Sequence, residues 1–423
     1  MSYAFETLMI HGAADWDKSK SMTPPIYQTN AYHLGNTNHA EDMFALKAAG
    51  DMYTRLSNPT VSMLENRIAV LEDGAAALAF SSGHAALFAA VTVLADAGDE
   101  IVSSICIYGG AISLLGTSLK KLGIKTIFVD PDDFSAWEAA ITDKTKAFFV
   151  ETIGNPNANV ADIERIAKIA HSKGIPLIVD GTFTTPYLQK SKQFGADIVV
   201  HSATKFLCGH GSSMAGLLVD LGTFNFSDNP RFPGFNMPDQ SYHGIVYSKD
   251  AKTSPVALKG RAQVLRDFGG CLSPFNAYLI LQGIETLSLR MERHCENALA
   301  IAQYLELHKN VSSVSYPALK SNKYYDLIPK YLPNGASSIF TFEIKGKLEN
   351  CRKFIDSLSL FSNVANVGDL RSLAIHPATT THSQLTNEQM EKGGITSQTV
   401  RLSIGLENKR DLITDLEQAL SVL

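Results

Sequence analysis

The sequence predicts an α/β fold: a mostly parallel sheet covered by helices on both faces, followed by a smaller α+β region. Two observations carry this. Between residues 61 and 220, short and nearly continuous apolar runs alternate with helical stretches, as strands buried on both faces do. After several of these runs stands a residue with chemistry to offer, such as Asp180 or Lys205, and ligands of open α/β sheets bind beyond the carboxyl ends of the strands.

Residues 1 to about 60 look irregular, with Pro24, Pro25, Gly35, Asn36, Asn58 and Pro59 as breakers. An arm with so little core is expected to drape over another domain or another subunit. A large domain, 61–273, follows. Its strands are expected at Ala76–Phe80, Glu100–Ser103, Thr126–Val129, Ala147–Glu151, Leu177–Asp180 and Ile198–His201, with helices at Ala85–Leu94 and Ile163–Ser172. Ala75–Ala95 has no charge apart from His84 and approaches the length of a membrane span. Ser81-Ser82-Gly83 interrupts it, so it reads as strand, turn and buried helix. Residues 222 to about 270, rich in aromatics and breakers around Phe232–His243, read as a long ordered loop. One long helix, Pro274 to His308, is expected to open a C-terminal α+β domain, 274–423. Its strands are expected at Ser338–Ile344, Ser372–Ile375 and Val400–Ile404.

Composition narrows the partners. Lys and Arg number 37 against 42 Asp and Glu, a net charge of −5, and no long run of one sign invites nucleic acid or an anionic membrane. The five cysteines (Cys106, Cys208, Cys271, Cys295, Cys351) are scattered and form no C-x-x-C pair, so neither a disulfide framework nor a metal site is expected. The first residues lack a basic stretch leading into an apolar one, so no secretory leader is expected. A cytoplasmic protein acting on small molecules follows.

The strand ends define the chemistry. Lys205 follows Asp197-Ile-Val-Val-His-Ser-Ala-Thr and should face the ligand crevice, where burial would strip its proton and make it a nucleophile and base. Asp180 ends Pro176-Leu-Ile-Val-Asp and, if buried, needs a cationic partner; capping a helix is the competing role. Ser81-Ser82-Gly83-His84 sits where a strand meets a helix, a place for a phosphate or for ordinary capping. Ser202 and Thr204 add hydroxyls. Tyr108, before Gly109 and Gly110, has room to stack on a flat ring, or is a core or turn tyrosine. Glu151 and Asn155 also follow a strand, although Asn155-Pro156 reads equally as a turn. Arg401, inside Val400-Arg-Leu-Ser-Ile, needs a partner: a substrate carboxylate or a structural salt bridge. A lysine for an aldehyde, an acid for a pyridine nitrogen and a phosphate cradle form the set that pyridoxal 5′-phosphate (PLP) requires. The ordered set, not any one residue, points to that cofactor.

Read together, Tyr53-Thr-Arg55 with Asn58-Pro59, Ser81-Ser-Gly-His84, Tyr108-Gly-Gly, Glu151 to Asn155-Pro156, Asp180-Gly-Thr-Phe, Ser202-Ala-Thr-Lys205 and Val400-Arg401-Leu-Ser-Ile-Gly resemble the Cys/Met-metabolism family of fold-type I PLP enzymes. The resemblance spans nearly the whole chain and implies a seven-stranded, mostly parallel sheet. It implies that Lys205 carries the cofactor and that Tyr53 and Arg55 hold the phosphate of a neighbouring subunit's cofactor. Gly83, the amide of His84, Ser202 and Thr204 would hold the phosphate from within. Tyr108 would stack on the ring, Asp180 pair with its nitrogen, Thr182 touch its face and Asn155 meet its phenolic oxygen. Arg401, with Ser372 and Asn155, would bind the substrate. Lys205, Tyr108 and Tyr53 would move protons, and shared sites imply a homodimer or homotetramer. Two positions depart from the family, which usually has Met at His84 and Asn at Gly181.

The segment Asn366-Val-Gly-Asp-Leu-Arg-Ser372-Leu-Ala-Ile-His376-Pro, with Thr380-Thr-His-Ser, is similar to the O-acetylhomoserine sulfhydrylase branch; lyases and γ-synthases usually read Ser-Leu-Gly-Gly there. The implied reaction joins O-acetyl-L-homoserine to sulfide or methanethiol, giving homocysteine or methionine and acetate. The alternatives are a methionine or cystathionine γ-lyase, a cystathionine γ-synthase, or a binding protein that has kept the fold without its chemistry.

Overall fold

The structure, a computed structural model, describes residues 3–13, 20–45, 47–383, 386, 390 and 393–423. Met1 and Ser2, where a leader would begin, lie outside the described residues, as do 14–19 and 46 of the expected arm.

Seven strands form the main sheet: β1 (Ala76–Phe80), β2 (Glu100–Ser104), β3 (Lys125–Val129), β4 (Thr145–Glu151), β5 (Leu177–Asp180), β6 (Ile198–Ser202) and β7 (Gly216–Asp220). Their spatial order is β1-β7-β6-β5-β4-β2-β3. The pairs among β6, β5, β4, β2 and β3 are parallel, and β7 runs antiparallel to both neighbours. The six expected strands are present with ends shifted by at most two residues. The seventh, Gly-Leu-Leu-Val-Asp, is an addition to the sequence reading.

Alternation along the buried strands sends side chains into two cores. Phe148, Val150, Val179 and Val199 face the helices Pro59–Leu71, Ile163–His171 and Pro274–Ile284. Phe149, Ile178, Val200 and Leu218 face the helix Gly83–Leu94 and the segment that follows β7. The alanines of Gly83–Leu94 matter here: Ala86, Ala89 and Ala90 are fully buried, so small side chains let this helix lie close to β6 and β7. The uncharged stretch Ala75–Ala95 is therefore strand, turn and helix, and no described helix is long and apolar enough to cross a membrane.

The structure corrects two expectations. The segment after β7 is ordered but not a plain loop: it contains the turns of helix Pro233–Asn236, Tyr247–Asp250 and Pro255–Lys259 and a π-helical stretch, Gly260–Phe268. Phe226 stacks on Phe235 with centroids 4.2 Å apart, and Phe232 packs edge-on against both. The expected helix from Pro274 to His308 is two helices, Pro274–Ile284 and Leu287–Glu306. The break has a cause: Arg290 turns back and donates to the carbonyls of Gly283 (2.6 Å) and Phe206 (2.7 Å).

A second sheet of five strands has the order β10-β11-β12-β9-β8, with β8 Val311–Ser315, β9 Ile339–Ile344, β10 Ser362–Asn363, β11 Leu373–Ile375 and β12 Thr399–Ser403. Strands β9, β11 and β12 were expected. Strand β8 (Val-Ser-Ser-Val-Ser) is a half-exposed edge without an apolar run, and β10 is two residues long.

The register brings the site together. Gly216 pairs with Phe80 on one side and Ser202 on the other, so the turns that leave β1 and β6 end side by side. A Cβ at Gly216 would overlap the Ser82 carbonyl oxygen. Gly216→Ala should therefore lower the thermal unfolding midpoint by several degrees, because overpacking costs roughly 1–3 kcal/mol, and should weaken cofactor retention. Scanning fluorimetry with and without PLP checks both.

Candidate active site

A cavity of about 280 Å³ opens at the carboxyl ends of the main sheet. Its lining includes Ser82, Gly83 and His84 after β1, Tyr108 after β2, Glu151 and Asn155 at β4, and Asp180 and Thr182 at β5. Ser202, Thr204 and Lys205 at β6 complete that side, and Asn366 and Arg401 close it from the second sheet.

Lys205 sits on the turn after β6, which Arg290 pins by the bond to the Phe206 carbonyl. Its Nζ donates to Asn366 Oδ1 at 2.6 Å. Burial, helped by the charge of Arg401, pushes the amine down to about 8, so a minor neutral fraction exists near neutral pH, far larger than for an ordinary lysine.

Two carboxyl groups end neighbouring strands, with Glu151 and Asp180 in register. Glu151 is raised well above the usual carboxylate range, by burial first and then by repulsion from Asp180. It accepts from the Tyr108 amide at 2.8 Å. Asp180 is also raised by burial, against hydrogen bonds from Thr182 and the positive sides of His201 and His84. Its Oδ1 accepts from the Thr182 amide at 2.8 Å, and among the described residues no basic side chain forms an ion pair with it. A buried acid in that state calls for a cation.

At the other end, Ser82 caps the helix Gly83–Leu94 through the Ala85 amide (3.2 Å). The amides of Gly83 and His84 stay in the first turn, where an anion is favoured. A Cβ on Gly83 would lie 2.7 Å from Ser202 Cβ, so only glycine lets this turn approach β6. The Ser202 amide donates to Thr182 Oγ1 (2.8 Å), and Thr204 Oγ1 donates to the Ala215 carbonyl and accepts from the Ala215 amide. The Tyr108 ring is 40% exposed and meets the His84 ring edge-on, with centroids 5.7 Å apart. A side chain at Gly110 would fill that space, its Cβ falling 2.5 Å from Tyr108 Cε1.

Arg401 of β12 is 3% exposed and donates to Asn155 Oδ1 (3.1 Å) and the Asn366 carbonyl (3.2 Å). Burial lowers it to about 10. Among the described residues it has no carboxylate partner, so the competing reading as a structural salt bridge lacks its second member. Its charge remains available to a bound anion.

Three expected residues stand apart. Tyr53 and Arg55 do not line this cavity; Arg55 lies over the Tyr53 ring, 5.4 Å from its centroid, and donates to the Arg266 carbonyl. Ser372 is fully buried outside it, because its hydroxyl is used between Glu407 Oε2 (2.9 Å) and the Gly405 amide (2.8 Å). Conversely, Asn366 touches both Lys205 and Arg401, though the sequence marked it only as part of a branch motif. Phe183 and Thr381, each inside a motif noted in the sequence but not singled out, also line the cavity, as does Met214, which no local sign marked.

The model of the Cys/Met metabolism PLP-dependent enzymes matches residues 6–421. The chain belongs to that family. Among its relatives, an O-acetyl-L-homoserine sulfhydrylase of Leptospira meyeri is 48% identical over 98% of this chain and 96% of that protein. A homocysteine synthase of Schizosaccharomyces pombe is 48% identical over 99% and 98%. A crystal structure from Campylobacter jejuni, described as a candidate O-acetylhomoserine (thiol)-lyase with a pyridoxyl-lysine phosphate at its position 205, superposes with a TM-score of 0.97. That protein is 43% identical, over 99% of this chain and all of its own.

The residues present suit the family's cofactor. A partly neutral lysine, a buried acid without a cation and a glycine-lined helix start answer the aldehyde, ring nitrogen and phosphate of PLP. Arg401→Met should move the titration of Lys205 in the cofactor-free protein above about 8 while burial keeps it below the ordinary 10.5. The check is the pH dependence of PLP capture, whose midpoint should shift to higher pH than in the wild type.

Proposed function

We propose that the protein catalyses γ-replacement on O-acetyl-L-homoserine, with sulfide or methanethiol entering, acetate leaving, and L-homocysteine or L-methionine as product. The observation that carries this reading is the Asn366 bridge. It couples the amine of Lys205 to the guanidinium of Arg401, which has no carboxylate partner among the described residues, in the segment that sets the sulfhydrylase branch apart.

An α-amino acid with its carboxylate on Arg401 has its reacting carbons beside Lys205, since both residues reach Asn366. Bound PLP supplies an electron sink for charge that develops at Cα. Lys205, with its lowered affinity for protons, removes and returns protons at Cα and Cβ. Asp180 holds the ring nitrogen protonated. Tyr108 lies at the cavity's rim and assists the proton transfers that accompany loss of the γ-ester and entry of the thiol. Ile153, Phe183, Met214 and Val367 supply an apolar lining that excludes water. Among the described residues Arg401 is the only arginine lining the cavity, so the second carboxylate of a succinyl ester meets no second guanidinium from them, which supports acetyl.

The placement of Tyr53 and Arg55, off their own cavity and with Tyr53 43% exposed, supports their service to a neighbouring subunit's cofactor in a homodimer or homotetramer. Its five free cysteines support a cytoplasmic setting.

Purified protein given O-acetyl-L-homoserine and sulfide should release acetate and form homocysteine. Ammonia and a keto acid from methionine, formed faster than homocysteine, would replace this reading with a γ-lyase. Lys205→Ala should lose both the visible absorbance of the lysine-bound cofactor and turnover. Arg401→Lys, which gives up the two-pronged grip on a carboxylate, should raise KM roughly 10- to 100-fold, since a charge-assisted hydrogen bond contributes about 1.5–3 kcal/mol.

A further inference from the structure

A second cavity, of about 670 Å³, opens beside the first. The two share four lining residues, His84, Tyr108, Ala365 and Thr381, which form the wall between them. Two rings stand in that wall, His84 edge-on to Tyr108 with centroids 5.7 Å apart. The chemistry above uses the amide of His84 and leaves its imidazole without a task.

Both rings are exposed, and neither is tied down. Among the described residues, the His84 imidazole and the Tyr108 hydroxyl make no hydrogen bond or ion pair. Gly110 lines the second cavity and not the first, and a Cβ there would fall 2.9 Å from His84 Nε2. The bare glycine therefore leaves Nε2 open on the side of the second cavity. Methionine, usual in the family at position 84, would fill similar space without offering a nitrogen.

The rest of the lining narrows what could use that nitrogen. Ser113, Ser118, Thr380 and Thr381 bring hydroxyls, and among the described residues no lysine, arginine or carboxylate faces this space. Such a lining suits a small polar molecule and gives a carboxylate no counter-charge. Of the two reactants, the amino-acid ester needs Arg401, which lines only the first cavity. The thiol needs no such clamp, and an imidazole can donate to or accept from its sulfur.

We propose that the second cavity is the entry site of the thiol, and that His84 receives it by a hydrogen bond to sulfur before it passes the two rings. The class admitted is sulfide and simple alkanethiols; an amino-acid thiol such as cysteine brings a carboxylate that nothing there balances. The inference deepens the γ-replacement reading and rests on it.

Steady-state rates with each reactant varied in turn separate the two cavities. His84→Met keeps the backbone amide and the bulk of the side chain but removes both ring nitrogens. It should raise KM for sulfide and for ethanethiol roughly three- to tenfold, the loss of one hydrogen bond, with KM for the ester and the visible absorbance of the bound cofactor within about twofold. His84→Gln, whose amide restores a hydrogen-bonding group, should recover most of that loss. Ser118→Phe narrows the second cavity from an exposed position and should raise KM for ethanethiol more than for the smaller sulfide. L-Cysteine should be the poorest of the three nucleophiles. Thiol constants that stay fixed in His84→Met, or that move together with the ester constant, overturn the proposal. Equal effects of Ser118→Phe on both thiols, or cysteine reacting faster than sulfide, do the same. Homocysteine synthesis by the wild type is the reference: its absence removes the γ-replacement reading itself, whereas normal synthesis with unmoved thiol constants isolates the error to His84.

Discussion

Two carboxyl groups buried side by side at the ends of β4 and β5 set the terms for everything around them. Glu151 and Asp180 stand in register, and burial raises both above the usual carboxylate range. Opposite them are two buried bases, Lys205 and Arg401, each pushed down by the same desolvation. Of these groups, Lys205 at about 8 is the one placed to exchange protons close to neutrality, as acid–base chemistry requires. The arrangement also leaves Asp180 short of a cation and Arg401 short of an anion. In the proposed reaction a ligand with a protonated ring nitrogen would supply the first, and a substrate carboxylate the second.

The scaffold holds this electrostatic arrangement by close backbone approach. Glycines at 83 and 216 bring the turns after β1 and β6 into contact, so that one helix start and the hydroxyls of Ser202 and Thr204 converge. Arg290 fixes the turn that carries Lys205 by breaking the long helix it belongs to. The cost is a discontinuity between Ile284 and Leu287; the return is a lysine held by its own backbone rather than by the cavity it serves. Asn366 then ties that lysine to the second sheet.

What was legible in the sequence divides along one physical line. Six strands of the main sheet show as apolar runs, because strands covered on both faces have no polar alternation. Lys205, Asp180, Tyr108 and the Gly83 turn were visible because they immediately follow such runs. Strand β7 escaped although it is as apolar as the rest. It follows a glycine- and serine-rich stretch (Gly209, Gly211, Ser212, Ser213) and is antiparallel, so no helix separates it from β6 to mark a new unit. The break before Leu287 depends on where one arginine finds carbonyls 83 and 84 residues away, a contact no local pattern contains. Ser372 illustrates the reverse: a serine at a strand start in a motif segment suits a ligand, but its hydroxyl is taken by Glu407 and Gly405, which approach from a later turn.

The departures from the family pattern carry the same lesson further. Residues 84 and 181 looked like isolated substitutions next to the cofactor residues. In the structure each is one half of a contact. His84 meets Tyr108 only because Gly110 leaves room, and Gly181 is bare where the His201 ring lies. An asparagine at 181 with His201 unmoved would place its Cβ inside van der Waals distance of the imidazole, so the ring or the strand end would have to shift. A substitution beside Asp180 that touches no ligand therefore reaches the carboxyl group through backbone position. In a cavity whose protons are balanced by burial, such indirect contacts act on the same quantity as the residues that line it.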